Sequence, residues 1–291
     1  MHTKIYSIIH PFYFMMPWFF FKSGMFYHHR CNRQVIINGF YQLIIPLLFF
    51  STIGFIIHTF RVIVQGSISW NEYLYSQIHL LLWDVSIKGN DPLWFLFVLF
   101  MVKVIYNRIE KYSNFVSIFI CVLIFNSLYY SNIDYPFYLA SIPAGLLFYM
   151  LGNKLHSCQY NRFVVLLSAL VYLSCAIFGW VIVDMHWNIC STQNYVLWVP
   201  TSLAGIILIN FIFKILPFRI GMFEWIGKYS IIFYVAHWLI IEVALLVTRD
   251  IFIITNLKQI FAILVLSELL FLPLITKLLT NKKLSWAIGI K

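Results

Sequence analysis

The sequence predicts an all-α fold, a polytopic bundle of about nine transmembrane helices, and three observations carry that prediction. Hydrophobic residues make up 62% of the 291 and charged residues only 10%, with a mean hydropathy of +0.86, an apolar share far above that of a soluble globular chain. The apolar residues gather in runs of roughly 20, the length that crosses about 30 Å of hydrocarbon. The Lys and Arg are scattered in short clusters near the ends of those runs, with no Arg-rich stripe, so the net charge of +10 reads as membrane topology rather than nucleic-acid binding.

The nine runs cover residues 5–27, 36–60, 92–108, 113–130, 136–153, 163–183, 195–215, 225–248 and 256–279. Alternating the connections places fifteen Lys and Arg on one side, among them Lys22, Arg30, Arg33, Arg108, Lys111 and Lys282. The other side holds five: Lys4, Arg61, Lys88, Arg249 and Lys258. The positive-inside tendency then puts the C-terminus in the cytoplasm and the N-terminus outside. No Gly/Ser/Pro linker or internal repeat divides the chain, so residues 1–291 are expected to form a single membrane domain.

The first run, in HPFYFMMPWFFFKSGMFYHHR, is too long for a signal peptide and has no small-residue cleavage site after it. Its helix runs inward with no cytoplasmic segment before it, as if an earlier helix were missing. Lys22 sits near its cytoplasmic end, where it either snorkels to the interface or offers a cation to an anionic donor. Ser23 and Gly24 let a second backbone approach closely.

Between the second and third runs, residues 65–91 contain WNEYLYSQIHLLLWDV. Its Trp and Tyr residues suit either a helix at headgroup level or a cap over the bundle. Asp91-Pro92 opens the third run, with proline in the first turn and an acid at the positive end of the helix dipole, and Trp94 reads as an aromatic-belt residue. Five cysteines, Cys31, Cys121, Cys158, Cys175 and Cys190, show no metal-ligand or disulfide spacing, and no metal is expected. Phosphate-binding loops and a nucleophile elbow are absent from the sequence.

Ionisable groups inside the bilayer are costly and default to functional hypotheses. His237 lies well within WIGKYSIIFYVAHWLIIEVALLV, with Tyr234 three residues earlier on roughly the same face. Glu242 follows five residues after His237, poorly aligned with it, and Glu268 sits in the ninth run. Spacing leaves open which carboxylate, if any, orients the imidazole. His10 and His58 fall in the outer halves of the first two runs, and His58 reads as interfacial.

The runs MMPWFFFKSGMFY, YQLIIPLLFF, DPLWFLFVLFMV, IPAGLLFYMLGNKL and WIGKYSIIFYVAHWLII occur in the order and spacing of integral-membrane acyltransferase family 3, and almost the whole chain resembles that family. The resemblance implies about ten helices in a bacterial inner membrane and transfer of an acyl group, commonly acetyl from acetyl-CoA, to a sugar hydroxyl of a surface polysaccharide or lipid-linked glycan. It implies membrane lipid and a glycan as partners and no nucleic acid. Lys22, Ser23, Arg30 and Arg33 become candidate donor-binding residues, since ammonium and guanidinium groups pair well with phosphate oxygens. His237 and Tyr234 become candidate catalytic residues. Relatives carry a further first helix with a histidine, and a histidine where this chain has Met15, so an inactive binding protein is the alternative; a lipid-linked sugar transporter is a third, although no inverted repeat is visible.

Overall fold

The computed structural model describes residues 14–66, 69–112, 115–131, 136–155, 161–178, 195–215 and 221–289, and among them every regular element is helical. In chain order the helices are α1 (Met15–Met25), α2 (Asn32–Gln65), α3 (Trp70–Trp83), α4 (Trp94–Ile109), α5 (Phe115–Ser131) and α6 (Ser141–Leu155). They are followed by α7 (Arg162–Phe178), α8 (Tyr195–Ile215), α9 (Gly221–Lys228), α10 (Ser230–Leu245, prolonged by a π turn over Leu246–Ile251) and α11 (Leu257–Leu279).

Each expected span overlaps a helix, with 225–248 divided between α9 and α10 and residues 179–183 of the sixth span outside the described residues. Among the described residues, five segments are long and apolar enough to cross a membrane: Asn32–Gln65, Asp91–Tyr112, Leu197–Ile215, Ser230–Ile251 and Leu257–Leu279. The chain is an integral membrane protein of the all-α class. Residues 5–13 of the first expected span lie outside the described residues, as do His10, Cys158 and Cys190. The long α2 contains a π turn at Phe40–Ile44 and stops at Gly66, whose φ of +70° supplies the left-handed cap.

The chain forms two compact units. The first comprises Met1–Asn32, Val102–Asp134 and Leu139–Phe218, and the second Arg33–Met101, Tyr135–Tyr138 and Arg219–Lys291. In the first unit α1 packs along α6, with α5 also on α6 and α8 on both α7 and α1. Glycines set the distance between α1 and α6: a Cβ on Gly24 would lie 2.0 Å from the Tyr149 carbonyl oxygen, and one on Gly152 would lie 2.0 Å from that of Phe21. The two backbones therefore touch, as small residues permit between membrane helices. Phe20 and Phe21 are fully buried beside them.

In the second unit α10 packs on both α2 and α11. Many Leu side chains of α11, including Leu266, Leu269, Leu270 and Leu274, are exposed, as suits contact with lipid. The amphipathic α3 buries Tyr73 and Gln77 on one edge while Trp70 and Tyr75 remain exposed. That split belongs to a helix with one face on protein and one outside it.

Candidate active site

A polar part of the second unit's interior is built around the segment Val85–Pro92, between α3 and α4. Val85, Ser86, Gly89 and Asn90 are all buried. Non-helical backbone inside a membrane protein is tolerated only where protein or a water-lined cavity covers it. Here Gly89 supplies the fit: its φ is +106°, and a Cβ there would stand 2.4 Å from the Gly54 carbonyl oxygen on α2. Asn90 ties the segment to α10, its Nδ2 donating to the Val235 carbonyl at 3.0 Å. The Tyr234 hydroxyl donates to the Pro92 carbonyl, so α10 holds the head of α4 through two successive residues.

About two turns further along the same helices lies an ion cluster. Arg61 of α2 donates through Nη1 to Glu242 Oε2 at 2.7 Å and through Nε to Asp250 Oδ2 at 2.6 Å, and Gln65 Nε2 donates to Asp250 Oδ1 at 3.0 Å. Arg61 is seven residues past Gly54 and Glu242 seven past Val235, so α2 and α10 run parallel in a fixed register. One guanidinium meets two carboxylates, giving each a single N–H from its planar fork.

His237 is oriented by backbone rather than by a carboxylate. Its Nδ1 lies 3.1 Å from the Phe233 carbonyl oxygen. A carbonyl can only accept, so Nδ1 carries the hydrogen, and in the neutral ring Nε2 holds the lone pair. The Tyr234 ring is 6.1 Å away between centroids and Trp238 is 6.3 Å away. Glu242 is occupied by Arg61, which answers the alignment question left by the sequence. His58, expected at the interface, is instead half-buried, lies parallel to Tyr73 at 6.1 Å, and approaches Gly89.

The first unit holds a separate polar crevice of about 420 Å³, lined by His29, Arg30, Cys31, Asn32, Asn107, Arg108, Glu110 and Lys111. That volume falls within the range of ligand pockets. Asn107 shapes it with its whole amide: Oδ1 accepts from the Tyr27 hydroxyl (3.1 Å) and the Arg30 backbone N–H (3.3 Å), and Nδ2 donates to the Arg30 carbonyl (2.9 Å) and Asn32 Oδ1 (2.6 Å). His29 Nδ1 donates to Glu110 Oε2 at 2.8 Å, and the Tyr27 hydroxyl shares its one hydrogen between Asn107 Oδ1 and that carboxylate, 3.0 Å away. With Glu110 engaged in this way, Arg30, Arg108 and Lys111 supply three cationic groups around the crevice.

The sequence-predicted residues therefore separate. Arg30 lines the crevice; Lys22 and Ser23 sit half-buried on α1, Lys22 with its Nζ 5.9 Å from the Trp18 ring. Arg33 is exposed at the start of α2 and is not among the lining residues. His237 and Tyr234 come together in the second unit. Sequence reasoning passed over Arg108 and Lys111 as site residues, although both stood in the richer charge set. It also passed over Arg61 with Glu242 and Asp250, opposite charges in apolar helices that each needed a partner.

Comparison with known proteins adds one finding. No curated protein and no solved structure matches the chain. The family model described as an acyltransferase domain, that of acyltransferase family 3, matches residues 5–276, nearly the full length. The five apolar runs that carried the resemblance all fall inside that match, and so do the crevice, the Arg61 cluster and His237. The chain belongs to acyltransferase family 3.

Proposed function

We propose that this protein is a membrane O-acyltransferase that moves an acyl group, acetyl from acetyl-CoA in the simplest case, to a sugar hydroxyl of a cell-surface polysaccharide or lipid-linked glycan. Family membership supports the reaction class. The observation that carries the rest is the fixed tautomer of His237, whose Nδ1–H is spent on Phe233 and whose Nε2 is left as a proton acceptor. Acyl transfer to a hydroxyl needs that acceptor: as the hydroxyl oxygen attacks the thioester carbonyl, its proton passes to Nε2, and the thiolate of CoA leaves when the tetrahedral intermediate collapses. Tyr234 holds the His237 face of α10 against the head of α4.

The donor end of this reading is the crevice of the first unit. Arg30, Arg108 and Lys111 match the phosphates of CoA, with Lys22, Ser23 and Arg33 as further candidates at the same end of the chain's topology. The charge asymmetry supports a cytoplasmic position for this end and the C-terminus, the side on which acetyl-CoA is made, and the family resemblance supports an inner bacterial membrane. No metal takes part in this scheme.

The test is transfer of labelled acetyl from acetyl-CoA into the glycan and lipid-linked glycan of membranes carrying the chain. His237→Ala is expected to lower the rate by roughly 10²–10⁴-fold, the usual contribution of a general base. Arg108→Ala is expected to raise the KM for acetyl-CoA about tenfold or more with a smaller effect at saturation, as loss of one charge-assisted hydrogen bond would do. Absence of transfer from a chain that is inserted and folded would leave a binding role as the reading to pursue.

A further inference from the structure

The segment Lys88–Asn90 is flanked by three side chains that each keep one buried polar atom without a partner. Gln77 spends its Oε1 on the Lys88 backbone N–H at 3.2 Å, which fixes the side chain against the segment and leaves Nε2 unmatched. Asn90 spends Nδ2 on Val235 and leaves Oδ1 unmatched. His58, whose Cβ is 3.0 Å from where a Cβ on Gly89 would stand, leaves Nδ1 unmatched. Gln77 is 5% exposed and Asn90 0%, so bulk solvent does not satisfy them.

An unmatched buried polar atom costs about 1–3 kcal/mol, and native proteins keep few of them. Three of the nine such atoms among the described residues gather around three consecutive residues. Their chemistry is also specific: Nε2 of Gln77 can only donate, Oδ1 of Asn90 can only accept, and the imidazole nitrogen of His58 can do either according to tautomer. A hydroxyl group both donates and accepts, so neighbouring hydroxyls of one sugar ring complement that set. Charge argues the same way. Arg61, on α2, is already held by Glu242 and Asp250, and Lys88 balances the second carboxylate, so the surroundings are close to neutral and favour neither an anion nor a cation.

We infer that His58, Gln77 and Asn90 form a hydroxyl-binding subsite for a neutral sugar, the part of this protein that reads the acceptor. The inference deepens the acyltransferase reading, on which the identification of that sugar as the acceptor rests. The subsite itself needs only the second unit. In it Gln77 donates to one hydroxyl, Asn90 accepts from a neighbouring one, and His58 accepts a hydroxyl proton or donates to its oxygen. The close approach of Gly89 to the α2 backbone at Gly54 is what brings His58 beside the segment.

The experiment uses the full chain in lipid nanodiscs and two probes. A panel of methyl glycosides is read by saturation-transfer NMR, and acetyl-CoA binding is read on the same samples. Gln77→Glu keeps the oxygen that Lys88 needs and replaces only the unmatched donor; His58→Phe removes the imidazole at similar size. The expected result is glycoside binding by the parent that weakens about fivefold to tenfold in each variant, the equivalent of one lost hydrogen bond, with acetyl-CoA affinity unchanged as the mark of an intact fold. Binding by the parent that both variants retain would overturn the subsite, as would a parent that binds acetyl-CoA but no glycoside. Sugar binding that depends on these residues without any acetyl transfer would preserve the subsite and remove the acyltransferase reading. Acetyl transfer indifferent to both substitutions would do the reverse.

Discussion

Glycine brings backbones together in both units, and the surroundings make the two contacts different devices. In the first unit Gly24 and Gly152 lock α1 to α6, helix against helix, amid buried Phe20, Phe21 and Tyr149. In the second, Gly54 and Gly89 bring a helix against an irregular segment, amid His58, Gln77 and Asn90 with polar atoms unspent. A close approach alone therefore says nothing about chemistry. The first is an apolar joint, which makes Gly24 a packing residue; the second sets unspent polar atoms beside the contact.

This contrast can be broken by substitution. The largest expected effect is on neither glycine pair but on the ion cluster that fixes the register of the second unit. Arg61→Met leaves two carboxylates facing each other and should destabilise the protein by about 3–5 kcal/mol, read as a lower unfolding midpoint in micelles. Glu242→Gln should cost much less, because Arg61 keeps Asp250. If the two substitutions cost the same, the cluster is not acting as a triad.

Next comes Gly152→Ala, whose added methyl would sit 2.0 Å from a backbone oxygen. Two helices must separate, at a cost of about 1–3 kcal/mol, with loss of stability but no change in the ratio of acceptor to donor affinity. Gly89→Ala combines a left-handed φ, about 1–2 kcal/mol, with the 2.4 Å contact to Gly54. It should differ in kind: acceptor KM rises while acetyl-CoA binding is unchanged. Smallest is Gly66→Ala, where φ is +70° but no atom lies within 4 Å of the added methyl. It isolates the conformational cost, about 1 kcal/mol, and should leave both substrates' kinetics untouched.

The helices were legible because a bilayer demands one property, an apolar run of sufficient length, and composition displays it directly. Long-range polar pairing was not. Arg61 reads as one of five outer charges until the fold brings it to Glu242, 181 residues away, and to Asp250, 189 away. His58 looks interfacial because its position in α2 is near the outer end; only the return of Val85–Pro92 into the interior makes its surroundings protein. The polar connection at 65–91 showed its aromatic residues but not which edge would be buried, since amphipathicity is equally served by lipid headgroups and by a neighbouring helix. In the crevice, Arg30 was found by its charge beside an apolar end, whereas Arg108 and Lys111 were counted as topology and acquired a site only when Asn107 drew the turn at residues 30–32 toward them.

Asn107 also means that the shape of the crevice depends on the identity of a single atom. Its amide makes four hydrogen bonds, two received and two given. Aspartate has the same outline but would turn the gift to the Arg30 carbonyl into a repulsion and oblige Asn32 to reverse its amide. Exchanging one nitrogen for one oxygen, as hydrolytic deamidation does during ageing of a protein, would thus undo the turn without changing any volume. A mutation scored as conservative by size would be among the most disruptive at this end of the molecule.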